Sequence, residues 1–365
     1  MSIVIDGNIK MTVWGESHGP EIGGVIDGFP AGVKYDEEFA LCEMARRAPS
    51  SSAFSTKRKE KDIPVVVSGI KDNVTEGSPI AFRILNEDRR SKDYGNIEYT
   101  VRPSHADYTA YERFSGHNDV RGGGHFSGRL TAPMVFAGAL AKMYLHSFGV
   151  KIAAHIRNIG DISDDSFVDH ANADVIERIE NKTFPSIKKG NAERIEKLIG
   201  DVAKDGDSIG AIVECGIFGV KAGIGGYMAR SVESRIASAM YAIPALKGIE
   251  FGKGFSYALG RGSEMNDCFK IEGGKVITSS NNNGGVLGGI TSGMPIVFSA
   301  AMKPTPSIYK PQMSVDISSM TEKELIINGR HDPCVAIRAI PVIEAVAALT
   351  VCDMYLEAYG YNGTK

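Results

Sequence analysis

The chain has 365 residues, 43% of them apolar, enough to fill the core of one large domain or two. Its 41 basic and 44 acidic side chains leave a net charge of -3, which argues against a surface built wholly for nucleic acid and makes any anion site local. Five scattered cysteines, Cys42, Cys215, Cys268, Cys334 and Cys352, offer no pair at zinc-ribbon or redox spacing and fit a reduced, cytoplasmic chain; no metal site is expected.

The start, Met1 to Asp6, carries neither the basic flank nor the long apolar core of an export signal, and no uncharged apolar stretch approaches the length of a bilayer span. No membrane contact is therefore expected. Gly15-Glu16-Ser17-His18-Gly19, ahead of Gly23-Gly24, reads as a tight turn that projects His18 beside a serine hydroxyl. A lone histidine there would be a capped turn; three further islands of the same grammar favour acid-base chemistry on an anion.

Asp36 to Ala48 has apolar positions at three- and four-residue spacing, a surface helix. It runs into a basic stretch, Arg46, Arg47, Lys57, Arg58, Lys59 and Lys61 against the acid Glu60, either a solvated loop or an electropositive lid over a phosphorylated ligand. Arg47, at the helix end, is the member placed to reach that ligand. Ile63 to Ile70 and Ile80 to Leu85 read as strands. Pro49 to Asp62, Asn86 to His125 and Gly262 to Gly285 read as long polar loops, a length that points to function.

Within the second loop, Arg102-Pro103-Ser104-His105-Ala106-Asp107 sets a guanidinium, a hydroxyl, an imidazole and a carboxylate close together. His105 is the general-acid candidate, and Asp107 is expected to cap a helix over Tyr108 to Arg113. Arg121-Gly122-Gly123-Gly124-His125-Phe126-Ser127-Gly128-Arg129 opens a helix apolar on nearly every face, so its amides and Arg129 are expected to gather at a positive helix end suited to a phosphate or a flavin. The spacing is neither a Walker nor a Rossmann pattern. Val150 to Ile156, Ile209 to Ile217 and Ile290 to Ala301 read as strands, and Asn191 to Lys204 as a second surface helix. Arg330-His331-Asp332-Pro333 leads into a second apolar helix, with Asp332 as N-cap or functional carboxylate.

The second half echoes the first in three places, in the same order. Val25-Ile26-Asp27-Gly28-Phe29 is matched by Val213-Glu214-Cys215-Gly216-Ile217, and Gly77-Ser78-Pro79-Ile80-Ala81-Phe82 by Gly293-Met294-Pro295-Ile296-Val297-Phe298. The Pro133-containing helix from Arg129 to Leu145 is matched by the Pro341-containing helix from Arg338 to Leu356. These echoes predict a single α+β domain over 1–365 made of two related halves, about 1–150 and 205–365, with sheets enclosing a buried helical layer.

Together the islands closely resemble the chorismate synthase family across essentially the whole chain. The resemblance rests on Gly15-Glu16-Ser17-His18-Gly19 with Val25-Ile26-Asp27-Gly28, on Ser127-Gly128-Arg129 with Thr131, and on Arg330-His331-Asp332-Pro333-Cys334 with Glu344. It implies a β-α-β sandwich, commonly a homotetramer, and the last step of the shikimate pathway. In that step 5-enolpyruvylshikimate 3-phosphate loses phosphate and its C6 hydrogen by anti-1,4-elimination to give chorismate. It also implies reduced FMN with no net redox change, the flavin lending an electron and recovering it; a poorly acidic C6 hydrogen makes ordinary base catalysis costly.

By the same resemblance His18 protonates the departing phosphate, His105 manages the proton on the reduced flavin, and Asp332 assists in removing the C6 hydrogen. Flavin contacts are implied for His125, Phe126, Ser127, Pro244, Ala245, Gly288, Lys303, Pro304, Thr305, Pro306, Ser307 and Arg330. Arg47, Arg102, Arg129 and Arg338 are implied for the substrate's phosphate and carboxylates, Arg47 also being the candidate NADPH contact. His125 and Ala53 stand where many relatives carry arginine. The first alters local pairing near the flavin; the second weakens intrinsic flavin reduction, so NADPH is expected to act indirectly, through an external flavin reductase. Two rival readings remain: an FMN-dependent oxidoreductase with net redox change, and a non-catalytic RNA- or phosphate-binding protein, which would leave the histidines without a role.

Overall fold

The computed structural model of the chain describes residues 3–48, 61–87, 99–170, 173–179, 182–327 and 331–361. Two five-stranded antiparallel sheets dominate it. The first is built from β1 (Ile3–Asp6), β2 (Lys10–Gly15), β3 (Glu21–Asp27), β4 (Pro64–Val66) and β7 (Ile80–Leu85) in the order β1-β2-β3-β7-β4; β5 (Ile70–Lys71) and β6 (Val74–Thr75) form a small hairpin beside it. The second takes β8 (Lys151–Ile159), β9 (Ile162–Ser163), β10 (Ala211–Phe218), β11 (Leu246–Phe251) and β16 (Ile296–Met302) in the order β11-β16-β10-β8-β9. Three more hairpins pair β12 (Phe269–Glu272) with β13 (Lys275–Thr278), β14 (Val286–Leu287) with β15 (Ile290–Thr291), and β17 (Gln312–Asp316) with β18 (Thr321–Leu325).

Nine helices accompany them among the described residues: α1 (Glu37–Arg47), α2 (Asp107–Phe114), α3 (Thr131–His146), α4 (Phe167–His170), α5 (Ala173–Ile179), α6 (Asn191–Lys204), α7 (Val232–Met240), α8 (Gly262–Met265) and α9 (Ala336–Tyr359). α1 starts where the Asp36 side chain accepts from Phe39 N–H, with Glu37 and Glu38 in its first turn and Arg46 and Arg47 in its last, charges that suit the helix dipole. α3 packs on β2 and β3, α9 on β8 and β10, and the two helices on each other, so one core runs through a helical layer enclosed by sheets. Leu140, Val346 and Leu349 are fully buried there, each contributing about 1.5–3 kcal/mol. Where the helices cross, a Cβ on Gly138 would lie 2.2 Å from that of Ala345, so the approach demands glycine.

The α+β sandwich expected from the sequence is the fold, and its two sheets share an order of pairing. β3 lies between β2 and β7 as β10 lies between β8 and β16; β4 then flanks β7 as β11 flanks β16. Sequence reading erred at three places. Gly262 to Gly285 is not a loop but holds α8 and the β12–β13 hairpin, whose Phe269, Ile271 and Val276 are exposed. Ile290 to Ala301 divides into β15 and β16, broken at Gly293 with φ +90°. Ile63 to Ile70 likewise divides, into β4 and β5, with Gly69 at φ +85° between them. α9 has the length and mean apolarity of a bilayer span, but Arg338, Glu344, Asp353 and Glu357 interrupt it and its most apolar stretch is buried in the core.

One carboxylate enters that apolar layer. Glu344 of α9 accepts from both terminal nitrogens of Arg46 at 2.6 and 2.8 Å, from Lys142 of α3 at 2.7 Å and from Ala154 N–H of β8 at 3.0 Å. Burial opposes its charge, but Arg46 and Lys142 outweigh that and hold it down to about 2. The residue therefore ties four elements together rather than serving a ligand.

Candidate functional site

α3 and α9 begin at the same cavity, about 610 Å³ in volume, lined by Leu130, Thr131 and Met134 at one helix start and by Val335, Arg338 and Ala339 at the other. Two helix N-termini and four arginines make this the positive end of the helical layer. Thus the two islands that precede these helices, 121–129 and 330–333, converge although roughly half the chain separates them; Arg330 itself lies outside the described residues.

Gly122, Gly123 and Gly124 all have positive φ, +60°, +87° and +53°, and form a ribbon ahead of α3 rather than its N-terminal turn, which corrects their expected place at the helix end. Close approach explains why three glycines are needed. A Cβ on Gly122 would stand 2.5 Å from His18 Cδ2 and 2.8 Å from Ser17 Oγ; one on Gly123 would stand 3.2 Å from His105 Nε2; one on Gly124 would strike Asp119 O at 2.1 Å. The ribbon thus passes between two imidazoles. Ser17 N–H donates to Gly124 O at 3.1 Å, fastening the first turn to it. Ser17 and Gly122 line the cavity, and His18, 9% exposed, sits directly behind them.

Asp107 is the largest correction. It does not cap α2, whose N-cap is Ala106 without a side-chain bond; instead its carboxylate accepts from Arg102 Nε and Nη2, both at 2.7 Å, and from His105 Nδ1 at 2.6 Å. Burial works against its charge, but these hydrogen bonds hold the carboxyl well below the usual range. An ionised carboxylate only accepts, so His105 carries a proton on Nδ1 and turns Nε2 toward Gly123 and the cavity. His125 is oriented in the same way, Nδ1 donating to Gly15 O at 2.9 Å.

A second cluster lies at the other pole. Arg47 donates to Asp62 Oδ2 at 2.6 Å and to Thr131 Oγ1 at 3.2 Å, Arg129 donates to Asp62 Oδ1, and Arg338 donates to Asp332 Oδ2 at 2.7 Å and Arg47 O at 3.0 Å. Arg47, 1% exposed, is pushed by burial to about 10, Asp62 opposing and the Arg338 and Arg129 charges adding to the fall, so it stays cationic at neutral pH. Its Nε has no acceptor among the described residues. Among the described residues, five cations at the wall, Arg47, Arg102, Arg129, Arg338 and Lys303, face three carboxylates, Asp62, Asp107 and Asp332. The site is short of negative charge. Between the poles stands His331, which burial and the Arg102 charge push down to about 4 against the pull of Asp332; it is a neutral imidazole there.

The remaining wall brings together His125, Phe126, Ser127, Pro244, Ala245, Lys303, Thr305, Pro306 and Ser307 of the residues picked from sequence. Ala245 (φ +70°) and Ser104 (φ +58°) hold a left-handed backbone that costs of order 1–3 kcal/mol each, and both serve Lys303: Ala245 O accepts its N–H at 3.0 Å and Ser104 O its ammonium. Hydroxyls and an ammonium beside Phe126, Ile243 and Met302 suit a flat aromatic group with an anionic tail, so the donor set fits a flavin mononucleotide. Gly288, in the turn between β14 and β15, and Pro304 are not on this wall. Asp62, Asn86 and His331 were not singled out in the sequence; only His331, inside the last island, left a trace there.

A profile of the chorismate synthase family matches residues 9–356. Chorismate synthase of Thermococcus gammatolerans is 43% identical over 97% of this chain and 98% of its own, that of Methanosarcina barkeri 42% over 96% and 94%, and that of Phocaeicola vulgatus 42% over 96% and 97%. A crystal structure of chorismate synthase superposes with a TM-score of 0.75 at 29% identity, covering 96% of this chain and 93% of that one.

Proposed function

The chain belongs to the chorismate synthase family and is a lyase of the shikimate pathway, and from that premise we propose that it removes phosphate and the C6 hydrogen from 5-enolpyruvylshikimate 3-phosphate by anti-1,4-elimination with reduced FMN. The observation that carries this reading is the pair of histidines set against consecutive glycines beside a cavity in which five cations face three carboxylates. Anionic groups on the substrate and the flavin answer that excess of positive charge; a neutral substrate does not.

Reduced FMN, when bound, supplies electron density that is lent to the substrate and recovered, so the reaction has no net redox change. The protein's part is binding, orientation and protons. Arg47, Arg129 and Arg338 hold the anionic groups at one pole and Arg102 at the other, their guanidiniums aimed by Asp62, Asp332 and Asp107. His18 gives a proton to the departing phosphate oxygen. His105, fixed by Asp107 through Nδ1, holds or releases a proton at Nε2 facing the flavin, and Asp332 assists removal of the C6 hydrogen. Ile243, Met302, Met134 and Val342 exclude water from the space between.

Flavin contacts are proposed for His125, Phe126, Ser127, Pro244, Ala245, Lys303, Thr305, Pro306 and Ser307. An external reductase using NADPH is proposed to supply reduced FMN, since Ala53, outside the described residues, replaces an arginine common among relatives. The exposed Phe255, Leu259, Phe269, Ile271 and Val276 support a homotetramer, in which neighbouring copies would cover them. The common pairing order of the two sheets supports their origin by internal duplication.

Anaerobic turnover with chemically reduced FMN tests the reading. Phosphate and chorismate should appear in equal amounts, and oxidised FMN should give neither. Net oxidation of the flavin with each turnover would replace the lyase by an oxidoreductase.

A further inference from the structure

Asn86 follows β7, is 3% exposed, and touches both the turn that carries His18 and the guanidinium of Arg129. Its Nδ2 donates to Glu16 O at 3.1 Å and Gly19 O at 2.9 Å, the carbonyls on either side of Ser17 and His18. Its Oδ1 accepts from Arg129 Nε at 2.8 Å. The backbone joins in, Asn86 N–H donating to Pro20 O at 3.1 Å. Arg129 is held on its other sides by Asp62 and by Leu85 O at 3.2 Å, so its guanidinium has little freedom to move without Asn86.

The partners decide which way the amide faces. Carbonyls only accept and a guanidinium only donates, so the nitrogen must point at the turn and the oxygen at Arg129. Aspartate keeps the acceptor and loses both donors; leucine keeps neither; glutamine adds a methylene in a packed site. The position therefore calls for a short side chain with a donor and an acceptor at opposite ends. A simple fold-holding residue would need only the backbone bond to Pro20. The joining of an anion-binding arginine to the turn of an acid is what the side chain adds.

We propose that Asn86 is a positioning residue that couples Arg129 to His18, holding the group that receives the substrate's anion and the acid that protonates the leaving phosphate in one register. This rests on the roles given to those two residues above. Misplacement of a catalytic group by 1 Å can cost about 100-fold, so loss of the coupling falls on kcat.

The test compares Asn86→Asp and Asn86→Ala, each alone and in a His18→Ala background, by turnover of 5-enolpyruvylshikimate 3-phosphate with reduced FMN and by fluorescence titration of oxidised FMN. Asn86→Asp should lower kcat about 10- to 100-fold while KM stays within about 3-fold, because Arg129 keeps its acceptor. Asn86→Ala should show the same loss of kcat with KM raised about 10-fold. In the His18→Ala background Asn86→Asp should change kcat less than about 2-fold, since the residue it positions is gone. FMN affinity should stay within about 2-fold throughout. Wild-type kcat in Asn86→Asp, or an equal further loss in the His18→Ala background, would overturn the coupling. So would loss of FMN binding by Asn86→Asp, which would assign the residue to the fold. A wild-type protein that releases no phosphate overturns the functional reading itself, and the coupling with it.

Discussion

His105 and His155 are both held by carboxylates, yet one ring looks into a cavity and the other into protein on every side. Among the described residues the His105 ring has one hydrogen-bond partner, Asp107 at 2.6 Å, and its second nitrogen faces the cavity. His155 is 0% exposed and has both nitrogens occupied, Nδ1 by Asp164 and Nε2 by Glu214, each at 3.0 Å. Those carboxylates are themselves saturated: Glu214 accepts from Ser166 Oγ and Phe167 N–H, and Asp164 from Ile187 N–H and Lys188 N–H. The same residue types leave a ring nitrogen facing a cavity in one part of the chain and make a strut in another. The number of unspent hydrogen-bonding atoms, rather than the presence of a histidine-carboxylate pair, separates chemistry from structure.

The widest separation of the two comes from removing each ring. His105→Ala should lower turnover by about 10²–10⁴-fold, the range of a lost acid-base group, with an unchanged urea midpoint. His155→Ala should do the reverse. It leaves two buried carboxylates without their cation and should destabilise the fold by about 3–5 kcal/mol, while the fraction that still binds FMN turns over at nearly the wild-type rate. Turnover per FMN-binding site plotted against urea stability would place the variants on perpendicular axes; the comparison breaks if they fall on one line.

A finer contrast lies beside the cavity, between the two glycines that face the two histidines proposed to be catalytic. Alanine at either position would need a left-handed backbone, but at Gly122 it would press on His18 Cδ2 at 2.5 Å, whereas at Gly123 the nearest atom is His105 Nε2 at 3.2 Å. Gly122→Ala should therefore lower kcat by about 10- to 100-fold, and Gly123→Ala by about 3- to 10-fold. The second should also perturb the spectrum of bound flavin, because His105 faces it, and the first should not. Rapid mixing with spectral detection of FMN checks both; equal kinetic effects would show that the ribbon acts as a unit rather than spacing each ring separately.

How far the sequence carries depends on the reach of each interaction. β7 and α6 were legible to the residue because strand and helix periodicity are local, and the two apolar helices because burial leaves its mark on every face of a helix. The histidines and arginines stood out as residue types. Their partners did not. Asp62 meets Arg47 across 15 residues of sequence but Arg129 across 67, and Asn86 meets Arg129 across 43, distances that no local pattern records. Asp107 was misread because its position before a helix matches the grammar of an N-cap, and only the fold brings Arg102 and His105 onto its two oxygens. The β12–β13 hairpin was missed because its strands are only four residues long and largely exposed, so the alternation of Phe269, Lys270, Ile271 and Glu272 is too brief to stand out from a polar loop.

The smallest effect is a pH dependence that belongs to the buried ring. Burial opposes the charge on His155, but its hydrogen bonds to Asp164 and Glu214 outweigh that and raise its value above the ordinary 6.5. A group bound more tightly to its proton in the folded state stabilises the fold fully below the unfolded value. That contribution is then lost as pH rises through the folded value, at up to about 1.4 kcal/mol per pH unit. The two carboxylates run the opposite way: both are lowered, so their contribution is present above their unfolded values and is lost in acid. His155→Gln keeps a polar side chain of similar reach but cannot titrate. The difference in unfolding free energy between wild type and this variant should fall as pH increases from about 6 to 9, with the ligand-free proteins compared at constant salt. A flat difference would mean that His155 is held neutral, in which case one of its carboxylates must carry the shared proton, and the strut would be a hydrogen-bonded chain instead of an ion triplet.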